Sequence, residues 1–222
     1  MLAFLTSFIF AVQTFAQVST YTLTPIAGTF TPLTSPTSSS LANAADDGIS
    51  SNISIGFPFN YNGTSYTNVR VASNGYMTFG TAGTGGINSI NNNLATATTT
   101  FRQSVAALWD DIRPTVGVTY KTEGTAPNRT FTAQWLNMRW DATATAAQYA
   151  ISFQVKIYET TNIIDVIYRQ EAGAIVNTSG GASIGLMGSL ATDFISLQNS
   201  SAAPATSTSA STNNIAAKPA TG

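Results

Sequence analysis

The fold class of this chain is decided by residues 53–79, ISIGFPFNYNGTSYTNVRVASNGYMTF. The first part, Ile53–Phe59, alternates large apolar residues with small or polar ones, which is the period of a β-strand with one buried face. Asn62-Gly63 follows, and Asn-Gly between alternating segments is the strongest short hairpin signal because both turn residues take positive φ. The return strand Tyr66–Ala72 ends at a second such pair, Asn74-Gly75, before a third short strand. The stretch therefore predicts a three-stranded antiparallel meander.

The remainder of the chain repeats this pattern. Val105–Trp109 is a short apolar run of the kind found in strands buried on both faces. Short strands with turn signals between them indicate an antiparallel sandwich or barrel. We expect an all-β chain of about ten strands, folded as a β-sandwich of jelly-roll-like or Ig-like type, with little or no helix. The further predicted strands are Gly117–Thr122, Thr130–Trp140, Ile151–Tyr158, Ile163–Tyr168, Ala182–Leu186 and Phe194–Leu197.

The composition excludes several classes of function. The chain has 222 residues, nine Lys or Arg against ten Asp or Glu, a net charge of -1, and neither Cys nor His. Without a basic excess there is no footprint for nucleic acid and no polybasic membrane anchor. Without Cys and His there are no disulfides, thiolate nucleophiles, Ser-His-Asp triads or Cys/His zinc sites. Carboxylates, Tyr, Lys and oxygen-ligated metals remain as the available chemistry.

The N-terminus predicts export. Met1–Val12 is apolar apart from Thr6 and Ser7 and is shorter than the ~20 residues needed to span a bilayer. Thr14 and Ala16 place small residues at the -3 and -1 positions of a cleavage site. This pattern is that of a secretory signal peptide over residues 1–16, so we expect a secreted or cell-surface protein with no membrane insertion after cleavage.

The mature chain divides by composition. We expect an N-terminal strand and loop over 17–45 and a β-sandwich core over 46–198. Within the core, Gly80–Thr100 is rich in Gly, Asn, Ala and Thr and predicts a long surface loop. Residues 199–222 are rich in Ser, Thr and Ala, which bury too little apolar surface to offset their ordering entropy. They predict a flexible loop or linker, with the chain ending before a final strand.

Several motifs carry a family resemblance over roughly Asp46 to Leu197. The chain resembles an N-terminal β-sandwich module of secreted and surface proteins of the Bacteroidota, which are associated with type IX secretion. The order of an SNG-aromatic-x-F motif, LWDD and F-x-x-x-W-x-N is similar, more distantly, to the extracellular nidogen-like domain. The resemblance implies no catalytic activity, and members usually continue into one more strand and further domains. The motifs are IGFPFNYNGT (55–64), SNGYMTFG (73–80), AALWDDI (106–112), GTAPNRTF (124–131), QWLN (134–137) and FQVKIYETTN (153–162).

Two acidic pairs are the candidate chemical groups, Asp46-Asp47 and Asp110-Asp111. One carboxylate from each pair could perform acid/base chemistry on a glycosidic bond if they faced each other across a cleft. Carboxylates from both loops could instead bind a structural Ca²⁺, which takes six to eight oxygen ligands, although no Asp-x-Asp-x-Asp-Gly loop is present. The third alternative is a hydrogen-bonding role in the loops. We expect no other cofactor.

The aromatic residues raise the question of a sugar-stacking platform. Trp109 follows an apolar run and Trp135 shares a strand face with Phe131, so both are predicted to be core residues, with Trp109 between the two sheets. Trp140 and Tyr149 flank a polar stretch and are the ligand-stacking candidates, against the alternative of packing in the core or at its rim.

The function expected from these features is that of a non-catalytic extracellular structural or adhesive module of a bacterial secreted or surface protein. Its partners would be glycans or other surface proteins. A dedicated carbohydrate-binding module is the first alternative, and a carboxylate-based glycoside hydrolase is the second. A glycan array would separate the first two, because fold resemblance alone establishes no ligand.

Overall fold

A computed structural model describes residues 16–41, 46–80, 92–97, 99–141, 148–176 and 181–221. Among these residues the chain forms thirteen β-strands and two three-residue 3-10 helices, Val18–Thr20 and Thr99–Phe101. Three strands have only two residues, so ten longer ones remain, and the prediction of an all-β chain is confirmed. The strands are β1 (Thr37–Ser38), β2 (Ile53–Tyr61), β3 (Thr64–Val71), β4 (Tyr76–Phe79), β5 (Ser104–Trp109), β6 (Ile112–Arg113), β7 (Val118–Glu123), β8 (Thr130–Trp140), β9 (Tyr149–Tyr158), β10 (Ile164–Gln170), β11 (Ser183–Met187), β12 (Phe194–Leu197) and β13 (Thr206–Ser207).

The strands form two sheets. The six-stranded sheet has the order β1-β7-β8-β9-β10, with β6 paired to β8, and the seven-stranded sheet has the order β13-β12-β11-β5-β4-β3-β2. Every strand pairing in the described residues is antiparallel. The predicted antiparallel sandwich is therefore confirmed.

The meander over β2, β3 and β4 forms as its sequence predicts. Side chains of β2 alternate between buried and exposed along all nine residues. Tyr61 pairs with Thr64 across the turn, where Asn62 and Gly63 have φ of 52° and 75°. Pro58 has no N–H for a second neighbour, and β2 accommodates it because it is the edge strand of its sheet.

The space between the sheets is filled by apolar side chains from both. Trp135 on β8 stacks on Phe153 of β9 with ring centroids 5.0 Å apart, and Phe59 stacks on Phe79 at 5.4 Å. All four rings are buried. Burying a large apolar side chain contributes roughly 1.5–3 kcal/mol, so a core of this size supports the fold without disulfides.

Trp109 is fully buried, but on the outer face of the seven-stranded sheet and not between the two sheets. The N–H groups of Ala107 and Leu108 both donate to the Gly75 carbonyl at 3.0 Å, so two residues of β5 face one residue across the ladder. This is a β-bulge, which breaks the two-residue period. Leu108 turns into the core between the sheets and Trp109 turns away from it. The expected position of Trp109 between the sheets is therefore wrong.

Residues 92–97 and 99–101 cover Trp109. Leu94 is fully buried, Phe101 packs edge-on against the Trp109 ring at 6.0 Å, and Asn92 Nδ2 donates to the Trp109 carbonyl at 2.8 Å. The sequence predicts a surface loop over Gly80–Thr100, and this part of it is instead a cover for the sheet. Residues 81–91 and 98 of that prediction lie outside the described residues.

Both terminal segments pack on the sandwich. The Ser19 N–H donates to Asp193 Oδ1 at 3.1 Å, and β1 pairs with β7. Where the sequence predicts a flexible linker, β13 pairs with β12 and Ile215 forms a bridge with Ala182. Backbone pairing needs no apolar side chains, which is why the Ser/Thr-rich composition does not reveal it. All of the predicted signal peptide except Ala16 lies outside the described residues, and no helix within them is long and apolar enough to cross a membrane.

Candidate functional site

Three of the four predicted aspartates meet at one end of the seven-stranded sheet. Carboxylate oxygens of Asp46, Asp47 and Asp111 lie within 4.8 Å of one another. Asp46 and Asp47 precede the bridge between Ile49 and Ala72, and Asp111 follows the end of β5. The turn that joins β3 to β4 lies next to both loops. We refer to Asp46, Asp47 and Asp111 as the acidic cluster.

Hydrogen bonds hold the first loop against this turn. Asn74 Nδ2 donates to Asp47 Oδ1 at 2.7 Å, and the Gly48 N–H donates to Ser73 Oγ at 2.8 Å. The Ser73 N–H donates to the Gly48 carbonyl at 2.9 Å. Asp47 itself has φ of 46°, a left-handed conformation that Asp tolerates better than most residues. The SNG motif therefore serves both as a turn and as the support for Asp47.

Asp110 does not join the acidic cluster. Its side chain is buried, and Oδ2 accepts a 2.7 Å hydrogen bond from Trp140 Nε1. Its Oδ1 accepts the Asp111 N–H at 2.9 Å. Asp110 and Asp111 form a bend between β5 and β6, in which the Ile112 N–H donates to the Asp110 carbonyl at 2.8 Å, and the two side chains take different partners. The predicted four-aspartate set is thus corrected to three, with Asp110 tying the end of β5 to β8.

The electrostatics of the cluster centre on Asp111. Partial burial, followed by the charges of Asp46 and Asp47 and then those of Asp141 and Asp110, raises the pKa of Asp111 to about 6. Asp141 is a contribution that sequence reasoning missed, since it comes from the end of β8, thirty residues along the chain. Its only local signal is its place directly after a strand. Burial is the larger cause of this shift, and the neighbouring carboxylates add to it.

The spacing of the cluster fits a calcium ion. Ca²⁺–O distances are about 2.3–2.6 Å, so two oxygens on one ion are at most roughly 5 Å apart. The three carboxylates satisfy that limit. Backbone carbonyls and water would supply the remaining ligands, as is usual for this ion. A bound cation stabilises most strongly those carboxylates that lie close together and repel one another.

The same carboxylates are poorly placed for hydrolysis. A groove of about 640 Å³ runs along β10 and is lined by residues of the two sheets and both terminal segments. None of the three cluster aspartates is among the residues that line it. A glycosidase needs its two carboxyls on either side of a bound sugar. This groove does not bring the acidic cluster to a substrate.

The predicted stacking pair does not form a platform. Trp140 is fully buried, because its ring packs into the core and its N–H donates to Asp110, so the alternative of packing in the core holds for this residue and it is not a stacking candidate. Tyr149 is 38% exposed. One partly exposed ring remains where the sequence suggested two.

Comparison with known proteins identifies the family. The family model described as NIDO related matches residues 20–222. No curated protein matches the chain, and no solved structure matches it. The family match supports the similarity to the nidogen-like domain, and it suggests a non-enzymatic, extracellular module with a structural or adhesive role. Since the match covers almost the whole described chain, the protein belongs to the NIDO-related family.

Proposed function

We propose that this protein is a non-catalytic structural or adhesive module of a bacterial secreted or surface protein, with loops stabilised by Ca²⁺. Membership in the NIDO-related family supports the extracellular, non-enzymatic part. The motifs shared with modules of the Bacteroidota support a bacterial origin. The predicted signal peptide over residues 1–16 supports secretion. The observation that carries the calcium part is the convergence of Asp46, Asp47 and Asp111 within 4.8 Å.

Calcium in this position would have a structural effect. The ion would join the loop before the Ile49–Ala72 bridge to the end of β5, two segments that are more than sixty residues apart in sequence. It would also neutralise the repulsion that raises the pKa of Asp111. Extracellular modules bind Ca²⁺ with Kd of roughly 10⁻⁴–10⁻³ M, which suits a site with only three carboxylates.

The partners of the module are proposed to be other surface proteins in preference to glycans. A dedicated carbohydrate-binding module would require an exposed aromatic platform, and burial of Trp140 removes half of the candidate pair. Tyr149 remains as the single stacking candidate, so a glycan array with the wild type and Tyr149→Ala tests the alternative. Binding to a defined glycan that is lost in the variant would favour the carbohydrate-binding function.

Thermal melts in 10 mM Ca²⁺ and in EDTA test the calcium site. A ligand that binds only the folded state stabilises it by RT ln(1 + [L]/Kd), about 2.7 kcal/mol at a hundredfold excess over Kd. For a chain of this size that corresponds to a rise in Tm of roughly 5–10 °C. Asp47→Asn and Asp111→Asn should lose the rise.

The matched control is Glu123→Gln, which removes an exposed carboxylate that is paired with Lys121 and is not part of the acidic cluster. It should keep the full response to Ca²⁺. Equal midpoints of the wild type in Ca²⁺ and EDTA would contradict the calcium site and leave the aspartates with a hydrogen-bonding role. A rise that persists in Asp111→Asn would place the ion elsewhere.

A further inference from the structure

Three buried polar groups on the outer face of the seven-stranded sheet have no hydrogen-bond partner in the described part of the chain. They are Trp109 Nε1 on β5, and the Tyr76 hydroxyl and Thr78 Oγ1 on β4. None of the three residues is more than 1% exposed. An unsatisfied buried polar group carries the full penalty of its desolvation, so native proteins keep few of them. Three on one face therefore call for a functional explanation.

The three groups border the same part of this face. Met77 and Phe79 of β4 point into the core between the sheets, so Tyr76 and Thr78, which alternate with them, face outward. The Tyr76 ring lies 5.6 Å from the ring of Trp109. The unpartnered groups are therefore not scattered through the core but lie beside two aromatic rings.

Residues 92–97 and 99–101, which we call the cover, close this part of the face. No backbone hydrogen bond joins the cover to a strand among the described residues. Arg102 donates to two carbonyls of the cover at 3.0 and 3.2 Å, and Asn92 Nδ2 donates to the Trp109 carbonyl at 2.8 Å. A segment that side chains hold in this way opens locally at a lower free energy than a strand paired within a sheet.

Phe101 of the cover lies where a ligand would meet the two rings. It packs edge-on against Tyr76 and Trp109, with ring centroids 6.3 and 6.0 Å away. Phe has no polar atom, so the closed cover offers nothing to the unpartnered groups. Movement of Phe101 away from the sheet would expose two aromatic faces beside three hydrogen-bonding groups.

The electrostatics of the face favour a neutral ligand. Burial raises the pKa of the Tyr76 hydroxyl, while the charge of Arg70 lowers this pKa and that of Asp47 raises it. The hydroxyl is therefore protonated and available as a donor. The two charges that act on it have opposite signs, so they do not select an anion or a cation.

We propose that this face binds the pyranose ring of a neutral sugar, which enters when the cover moves aside. The indole N–H only donates, whereas the Tyr and Thr hydroxyls both donate and accept, and sugar hydroxyls can satisfy all of them. The C–H face of a pyranose supplies the apolar surface that the aromatic rings require. This inference goes beyond the proposed function: the site is separate from Tyr149 and does not depend on the acidic cluster.

The indole N–H groups provide the readout. The chain has three tryptophans, so a nitrogen–proton correlation spectrum contains three indole peaks, and the peak missing in Trp109→Phe is that of Trp109. A panel of glucose, galactose, mannose, xylose, fucose and N-acetylglucosamine is titrated into the protein in EDTA. At least one sugar should move the Trp109 peak downfield and saturably, because its N–H gains an acceptor. The peaks of Trp135 and Trp140 should stay in place, since their N–H groups already donate.

Two outcomes of the titration would overturn the proposal. In the first, no sugar of the panel moves the Trp109 peak. In the second, this peak already has the downfield position of a hydrogen-bonded indole without sugar and does not respond, which would show that ordered water satisfies the N–H.

Two tyrosines form a matched pair of variants. Tyr76→Phe removes a hydroxyl without a partner, so it should weaken sugar binding about tenfold while stability stays the same or rises. The Tyr61 hydroxyl lies 2.9 and 3.0 Å from the Ser104 and Met187 carbonyls, so Tyr61→Phe should lower Tm and leave the affinity for the sugar unchanged. Equal affinities of Tyr76→Phe and the wild type would contradict the site.

Phe101→Ala tests the role of the cover. Without the ring that closes on Tyr76 and Trp109, a larger fraction of the protein is open, and the affinity for the sugar should rise about threefold or more. A fall in affinity would overturn the proposed place of the ligand. Because all titrations are done in EDTA, failure of the calcium site in the melts leaves these results unaffected.

Discussion

Replacing each of the three tryptophans with phenylalanine should change the stability of the protein by an amount that depends on the hydrogen bond of its indole N–H. All three side chains are fully buried, but their N–H groups differ. Trp140 Nε1 donates to the Asp110 carboxylate at 2.7 Å, and Trp135 Nε1 donates to the Ala72 carbonyl at 2.8 Å. Trp109 Nε1 is buried without a hydrogen-bond partner in the described part of the chain.

The expected changes in stability combine a loss of packing, which is the same for the three variants, with the loss of the indole hydrogen bond, which differs between them. Each substitution removes about two ring carbons, or about 1.5 kcal/mol at ~0.8 kcal/mol per carbon. Removing an unpartnered buried donor returns roughly 1–3 kcal/mol, so Trp109→Phe should change stability by between about -0.5 and +1.5 kcal/mol. A bond to a neutral carbonyl is worth about 0.5–1.5 kcal/mol, so Trp135→Phe should cost about 2–3 kcal/mol. A bond to a carboxylate is worth about 1.5–3 kcal/mol, so Trp140→Phe should cost about 3–4.5 kcal/mol.

Urea unfolding followed by far-UV circular dichroism measures the three losses without relying on tryptophan emission. Equal m values in the wild type and the variants would show that the differences come from the folded state. The expected order of loss is Trp140→Phe, then Trp135→Phe, then Trp109→Phe. A Trp109→Phe variant that loses as much stability as Trp140→Phe would refute the assignment of partners on which this order depends.

Three further predictions concern pH, turn geometry and export. In EDTA the free energy of unfolding should fall as pH rises from about 4 to about 6, because the folded state holds the Asp111 proton more tightly than the unfolded state. Asp111→Asn should remove this part of the pH dependence in urea melts. Gly75→Ala should abolish folding or cost more than the ~1–2 kcal/mol of left-handed strain alone, because its Cβ would lie 2.1 Å from the Leu108 carbonyl oxygen. Gly63→Ala would place its Cβ 2.9 Å from the Ala16 methyl group, so Ala16 must shift, and the loss in a thermal melt should exceed that strain but stay below the loss of Gly75→Ala. Secreted protein should begin at Gln17 in N-terminal sequencing, and an intact Met1 would argue against export.

The local fold was predictable wherever the sequence kept a strict period. β2 alternates through nine residues and ends in an Asn-Gly turn, so its faces, its partner and its turn all follow from local rules. β5 shows the limit of this reasoning. Its bulge opposite Gly75 depends on two strands meeting, and it moves Trp109 to the other side of the sheet. A bulge leaves no reliable mark in a single strand's sequence.

The sequence predicted the type of candidate site but not which residues form it. The sequence showed that oxygen ligands were the available chemistry and that two acidic pairs lay beside turns. It did not show that Asp110 would turn toward Trp140, because that choice depends on the neighbour that β6 and β8 bring to it. Asp141 acts on Asp111 only because the end of β8 comes near the end of β5.

The sequence by itself determined the fold class, the strand positions and the excluded chemistry, since these depend on period, turn residues and the absence of Cys and His. The tertiary structure decided which side chains meet. It brought Asp46 and Asp47 to Asp111 and buried Trp140. Contacts between segments far apart in the chain depend on sheet order and register, and neither is encoded in the local pattern of any one strand.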